Sequence, residues 1–90
     1  MAYVLRLNPR AQAALQGHAE PFRSFLIDSL ANLAAAPTRL SRTANHVRIG
    51  QLAEFRFDAH GICLWASVIF QYGQDEQTLF IETISVEYGE

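Results

Sequence analysis

The sequence predicts an α+β domain in which two N-terminal helices pack on one face of a small antiparallel sheet. In the first part of the chain apolar residues recur at helical spacing, and from Leu52 onward they alternate with polar residues as in a strand. The resulting order of elements is β-α-α-β-β-β. This order is typical of a two-layer α+β fold, because helices bury their apolar stripe on one side of a sheet.

The first strand and the first helix are predicted from local signals. Residues 3–7 alternate apolar and polar side chains, which indicates a short strand. Asn8 and Pro9 then supply a helix N-cap and a proline at the first helical position. The Ala-rich residues 10–16 favour helix and complete the element.

The second helix is predicted from a single apolar stripe. It begins near Pro21 and ends before Pro37, since a proline excludes the preceding residue from helical geometry. The stripe consists of Phe22, Phe25, Leu26, Leu30, Leu33 and Ala34.

Three successive strands complete the predicted sheet. One strand passes through Phe55, the next covers residues 62–72, and a hairpin leads to residues 78–86. The first strand is expected at an edge or beside the last strand. Strict alternation in the last strand places Phe80, Ile84 and Val86 on one face and Leu79 and Ile81 on the other. We therefore expect one of these sets to be covered by another strand's surroundings, a second copy of the chain or a partner protein.

Length and composition predict a single globular domain over residues 1–90. Half of the residues are hydrophobic and 18% are charged, which is not the composition of a disordered chain. Cys63 is the only cysteine, so no internal disulfide can form and a cytoplasmic location is expected. The opening MAYVLRLNPR has no long apolar run, so neither a signal peptide nor a membrane anchor is expected. The three histidines lie far apart, and we expect no metal or cofactor.

Charge is distributed unevenly along the chain. All seven basic residues are arginines in residues 1–56, where three acids leave a net charge of +4, whereas residues 57–90 carry six acids and no base. The stretch TRLSRTANHVR at residues 38–48 contains three arginines, one histidine and no acid. Two interpretations remain open: a solvated loop between helix and sheet, or a segment that binds an anion.

The sheet face opposite the helices is the candidate binding surface. Arg56 and Trp65 share that face, and Arg39 and Arg42 of the basic segment lead toward it. Arginines can pair with phosphates while bases stack on the indole, so the four residues together could bind single-stranded RNA. The alternative for Arg56 is a self-neutralising stripe with Glu54 and Asp58, and the alternative for Trp65 is packing or partner contact.

His46 is the candidate general base, because a histidine can accept a proton near neutral pH. The alternative is an ordinary solvated loop histidine.

The layout resembles the RelE/ParE superfamily of bacterial type II toxins. The similar segments are the strand running into NPRAQAAL, the helical hairpin, the basic connector, and FRF followed by GICLWASVIFQYGQDEQTLFIETI. Pro9, Ala11 and Leu15 occupy places comparable to the helix start of these families. The resemblance implies a toxin neutralised by a cognate antitoxin, as a toxin–antitoxin hetero-oligomer or a homodimer.

The resemblance also implies two activities between which the residues do not decide. One is a ribosome-dependent endonuclease that cuts messenger RNA through a ribose 2′-OH. Carried over to this chain, Arg39, Arg42 and Arg48 would stand for the basic connector, Arg56 for a strand base and Tyr88 for the terminal aromatic residue. With His46 and Trp65 added from the residue analysis, the candidate catalytic residues are Arg48, Arg56, His46 and Tyr88, and the candidate RNA-binding residues are Arg39, Arg42 and Trp65.

The alternative implied by the resemblance is a non-catalytic, toxin-like protein that acts only by binding other proteins. It would be either a gyrase-directed toxin or a degenerate toxin. It rests on the departures of this chain from the nuclease pattern. The stretches LWASVIF and ISVEYGE contain no base, where nuclease members have arginines.

Overall fold

The computed structural model describes residues 2–44 and 50–89, and within them the chain forms two layers, as predicted. There are three helices and a five-stranded sheet, and the first two helices pack on one face of the sheet. The elements in chain order are β1 (Val4–Leu7), α1 (Pro9–Gln16), α2 (Phe22–Ala35), α3 (Pro37–Leu40), β2 (Ser41–Ala44), β3 (Gly50–Ala59), β4 (Ile62–Tyr72) and β5 (Thr78–Tyr88). Among these described residues no helix combines the length and the apolar character that a membrane crossing needs.

The sheet has the strand order β1-β5-β4-β3-β2. Strands β3, β4 and β5 form the antiparallel meander that the sequence predicts. β1 pairs in parallel with β5 and lies at the edge, so it is both an edge strand and a neighbour of the last strand. This mixed edge arises because the two helices carry the chain across the sheet between β1 and the meander.

The interpretation of the basic segment as a loop is wrong for its first part. Pro37–Leu40 forms the short helix α3, and Ser41–Ala44 forms β2, which pairs antiparallel with β3. Pairing with β2 gives the outer edge of β3 hydrogen-bond partners that would otherwise have to be water. His46 and Arg48, which belong to the rest of this segment, lie outside the described residues.

The helices begin and end where the sequence predicts. The Asn8 side chain accepts a hydrogen bond from the Ala11 N–H at 2.8 Å, with Pro9 in the first turn. α2 ends at Ala35, two residues before Pro37. From its predicted stripe, Phe22, Leu26, Leu30 and Leu33 join Ala11 in the core, and Phe25 packs against them. The strands contribute Ala53, Ala66, Val68, Phe70, Leu79, Ile81 and Ile84.

The prediction that Phe80 shares a face with Ile84 and Val86, opposite Leu79 and Ile81, is wrong because β5 contains a bulge. Val68 is opposite Ile84, but Phe70 is opposite Ile81, so β5 has one more residue than β4 across this interval. An extra residue reverses the direction of every side chain that follows it. Leu79, Ile81 and Ile84 are consequently all buried on the helix side, at 0%, 1% and 7% exposure.

The turn between β4 and β5 is built on Asp75. Its carboxylate accepts hydrogen bonds from the N–H of Gln77, from the N–H of Thr78 and from the Thr78 hydroxyl, at 2.9–3.1 Å. These bonds, led by that from the Gln77 N–H, lower the pKa of Asp75. They favour the charged form, so Asp75 shapes the turn in addition to solubilising it.

Deletion of Glu82, the bulge residue, should unfold the domain or bring it close to unfolding. Without the extra residue, β5 can no longer direct both Leu79 and Ile81 and the later Ile84 toward the helices. Exposing two buried aliphatic side chains costs roughly 3–6 kcal/mol, a large share of the stability of a small domain. Urea denaturation followed by Trp65 fluorescence and far-UV circular dichroism measures the loss.

The matched control is Glu82→Ala, which keeps the residue count and removes only the side chain. It should remain folded, with a far smaller shift of the urea midpoint. A deletion variant as stable as the parent would show that the bulge does not determine which side chains are buried.

Candidate functional site

The outer face of the sheet, opposite the helices, is the surface that the sequence singles out. Along β3 and β4 the inward residues Ala53, Ala66, Val68 and Phe70 are at most 1% exposed, whereas their outward neighbours are half-buried or exposed. In the described part of the chain the core that α1 and α2 cover lies on the other side. The outer face is formed by Leu52, Glu54, Arg56, Asp58, Cys63, Trp65, Ser67, Ile69, Gln71, Phe80, Thr83, Ser85 and Glu87.

Arg56 and Trp65 share this face, as the alternation predicts, and the structure makes them direct neighbours. They are opposite each other in the β3–β4 register, and the Arg56 Cζ lies 5.9 Å from the centre of the Trp65 ring system. This is a cation–π geometry. The Arg56 Nε also lies 2.9 Å from the Asp58 carboxylate, and this hydrogen-bonded ion pair raises the pKa of Arg56.

The orientation of Trp65 depends on Gly89, a residue that the sequence analysis did not identify. The Gly89 N–H donates to the Cys63 carbonyl at 2.8 Å, which brings the end of β5 beneath the indole. A Cβ at position 89 would lie 2.6 Å from the Trp65 Nε1 and 3.0 Å from the Cys63 sulfur. Only glycine therefore lets the indole lie across the end of β5. The sequence signal that could have indicated this contact is a glycine directly after a strand, which often marks a close approach of the backbone to another group.

Arg39 and Arg42 lie together at the β2 end of the same surface. Both line a shallow cavity of about 240 Å³ with Leu52 and Glu54 among its walls. The Arg42 Nη2 lies 2.8 Å from the Glu54 Oε1. Arg39, exposed in the last turn of α3, makes no ion pair with any residue of the described ranges.

The ion pairs reduce the positive charge that the outer face presents. Glu54 pairs with Arg42 across the β2–β3 edge, and Asp58 pairs with Arg56 along β3. The self-neutralising stripe considered from sequence is therefore present for Arg56, with Arg42 as an additional member. All four side chains are at least one-third exposed, so the pairs are weak and a competing anion can replace a carboxylate.

The structure does not bring Tyr88 together with the other candidate residues. Tyr88 is opposite Leu64 in the β4–β5 register, whereas Glu87 is opposite Trp65, so Tyr88 lies on the helix-side face. Its side chain is 84% exposed, beyond the end of the helical layer. Of the four candidate catalytic residues, His46 and Arg48 lie outside the described ranges, and Arg56 and Tyr88 are on opposite faces.

A wider cleft of about 770 Å³ lies near the β4–β5 turn, at the end of the strands away from Tyr88. The sequence did not indicate it. The hydroxyls of Thr38 and Tyr72 are 3.5 Å apart in its wall, and the Tyr72 ring makes an edge contact with Tyr3. Its lining also includes Arg42, so this cleft adjoins the β2 end of the outer face. The cleft offers hydroxyl and amide groups for hydrogen bonding.

No protein-family model matches the sequence, and no curated protein matches it. Solved structures do match. A chain of the toxin–antitoxin complex RelBE2 from Mycobacterium tuberculosis superposes with a TM-score of 0.74 and 12% identity, covering 97% of this chain and 100% of that one. A chain of the intact RelBE toxin–antitoxin complex from E. coli gives a TM-score of 0.66 at 14% identity, covering 93% and 95%.

A third match is the E. coli toxin RelE in the free state, as a mutant with two arginines replaced by alanine. It gives a TM-score of 0.65 at 14% identity and covers 94% of this chain and 83% of that one. The fold of this chain is therefore RelE/ParE-like, as the resemblance implies. At these identities the likeness establishes the fold alone.

Gly89→Ala should displace the Trp65 indole and separate it from Arg56, because the added methyl group would overlap the ring. Trp65 is the only tryptophan, so its emission maximum and its accessibility to iodide report the change directly. We expect a shifted emission maximum and increased quenching, with the far-UV spectrum retained.

Gly50→Ala is the matched control. It adds the same methyl group to a strand glycine, where the nearest atoms would be 3.5 and 3.6 Å away, an ordinary contact distance. Its fluorescence should equal that of the parent. Identical spectra for the two variants would contradict the role assigned to Gly89.

Proposed function

We propose that this chain is the toxin component of a type II toxin–antitoxin module and acts by binding another protein. The observation that carries the proposal is the RelE/ParE-like fold, which extends over nearly the whole chain in a match to a toxin–antitoxin complex. An antitoxin protein is the partner that follows from this proposal, with the cytoplasm as the site of action. Gyrase is one candidate target for a toxin of this kind.

The arrangement of the described residues favours protein binding over RNA cleavage. Cleavage through a ribose 2′-OH needs a general base and charge-stabilising groups around one phosphate. Arg56 and Tyr88 are on opposite faces, and both Arg42 and Arg56 are paired with carboxylates. The six acids of residues 57–90 add a negative potential that opposes the approach of RNA.

A ribosome-dependent messenger RNA endonuclease is the second candidate function. The observation that favours it is the Arg56 guanidinium over the Trp65 ring on an open face. Arg56 can bind a phosphate of single-stranded RNA while a base stacks on the Trp65 ring. Arg39 and Arg42 would bind further phosphates of the same RNA. In this version His46 is the general base and Arg48 supports the charge on the phosphate.

Expression of the chain alone in bacteria should arrest growth, and co-expression of the product of the adjacent gene should restore it. Colony counts after induction measure the arrest, and co-purification of the two products measures the complex. The control is the Phe70→Asp variant, which places a charge at a fully buried core position and should abolish both effects. Normal growth with a soluble, folded chain would contradict the toxin proposal.

The two versions of the proposal differ in their effect on messenger RNA. If the chain is an endonuclease, primer extension after induction should show new 5′ ends that are lost in the Arg48→Ala, Arg56→Ala double variant. If it acts by protein binding, growth stops while messages stay intact. The matched control is Arg10→Ala with Arg23→Ala, which removes two exposed helix arginines and should change neither result.

A further inference from the structure

The cleft near the β4–β5 turn has a polar lining that the proposed function does not account for. Its volume of about 770 Å³ lies within the range of sites that hold small molecules. The strand order of the sheet decides the order of the groups across it. That order is Arg42 on β2, Gln51 on β3, Tyr72 on β4 and Glu76 in the turn that follows β4. The series is a guanidinium, an amide, an aromatic ring and a carboxylate.

The two charged side chains of this lining lie on opposite sides of Tyr72. Arg42 is two strands away from Tyr72, a backbone separation of about 10 Å. Glu76 lies toward β1, since it also lines a smaller cavity with Val4. Its carboxylate makes no hydrogen bond or ion pair with any described residue. A ligand lying along the cleft therefore meets a cation at one end and a hydrogen-bond acceptor at the other.

The aromatic ring and the carboxylate of the cleft are both held in place by other residues. The Tyr72 ring makes edge contacts with Tyr3 and Phe70, with ring centres 5.9 and 5.7 Å apart, and yet the residue is 40% exposed. The Glu76 N–H donates to the Gly73 carbonyl at 3.1 Å, within the turn that Asp75 shapes. Groups that are positioned before a ligand arrives lose less conformational freedom when it binds.

We propose that this cleft binds a free nucleoside monophosphate whose base carries an amino group on its pairing edge, such as adenine or cytosine. The planar fork of the Arg42 guanidinium binds the phosphate. The base stacks on the accessible part of the Tyr72 ring, and Glu76 accepts a hydrogen bond from the amino group. Gln51, between Arg42 and Tyr72, offers its amide to the ribose hydroxyls.

The phosphate has to replace Glu54 as the partner of Arg42. The Arg42 and Glu54 side chains are 70% and 36% exposed, and exposed ion pairs are weak. A phosphate monoester carries more negative charge near neutral pH than a carboxylate, so the exchange is favourable. This inference does not depend on the toxin proposal, because Tyr72 and Glu76 are not part of the outer face.

Nuclear magnetic resonance titration of the isotope-labelled full chain tests the proposal with adenosine monophosphate (AMP), inosine monophosphate (IMP) and adenosine. AMP should shift the amide signals of Gly73, Gln74 and Glu76, while the indole N–H of Trp65, near Gly89, stays unchanged. IMP has a carbonyl oxygen in place of the amino group and leaves Glu76 without a donor, and adenosine lacks the phosphate. Each should bind at least about fivefold more weakly than AMP. Added salt should weaken the binding of AMP more than that of adenosine.

Glu76→Gln should remove the preference for AMP over IMP, because an amide can donate to a carbonyl as well as accept from an amino group. Arg42→Ala should weaken AMP binding by about tenfold and leave adenosine binding unchanged. The matched controls are Asp28→Asn and Arg23→Ala, which make the same kinds of change at exposed positions of α2 and should alter neither result. Far-UV spectra confirm that all four variants are folded.

Several results would overturn the proposal. They are absence of AMP binding, equal affinity for AMP and IMP in the parent chain, or shifts at Trp65 in place of the turn residues. A short adenylate oligonucleotide that shifts the turn residues while AMP does not would assign the contacts to an RNA chain and likewise overturn it. Growth arrest without AMP binding removes only this inference, whereas AMP binding without growth arrest removes the toxin function and leaves the cleft as a nucleotide site.

Discussion

The extra residue in β5 is the constraint on which the arrangement of this molecule depends. Side chains alternate between the faces of a strand, so a strand of 11 residues in a two-layer domain would be expected to alternate apolar and polar residues throughout. β5 does not alternate in this way. The bulge opposite the Ile69–Phe70 step joins two apolar sets on one side, which gives α1 and α2 a continuous surface to cover. It also leaves the opposite face free of any need for a covering layer.

Most charged side chains of the outer face are arranged in ion pairs. Arg42 and Arg56 come from different strands, and each has a carboxylate partner within 3 Å. Both Gly89 and Arg56 lie close to the Trp65 ring. Weak exposed pairs of this kind can be exchanged for other partners, which suits a surface that contacts a second molecule.

The helix-side face has a different character at its far end, where Ile62 and Tyr88 are exposed and no described residue covers them. The helices cover the part of the sheet that contains the buried core. The strand ends at Ile62 and Tyr88 remain exposed. Exposed apolar surface is a feature of protein–protein contacts. The fold therefore presents two surfaces of different chemistry, the paired arginines of the outer face and the open apolar end of the helix-side face.

The sequence by itself determined the elements with strong local signals: the Asn8–Pro9 helix start, the stripe of α2 and the full extent of β4. It also placed Arg56 and Trp65 on one face, because alternation alone decides this, whereas the register of β3 and β4 decides that they are neighbours. Only the tertiary structure decided the parallel partner of β1, the conversion of residues 41–44 into a strand, the contact of Gly89 with Trp65 and the separation of Tyr88 from Arg56. These features depend on pairing between residues far apart in the chain, and local periodicity contains no information about register or about where a bulge reverses it.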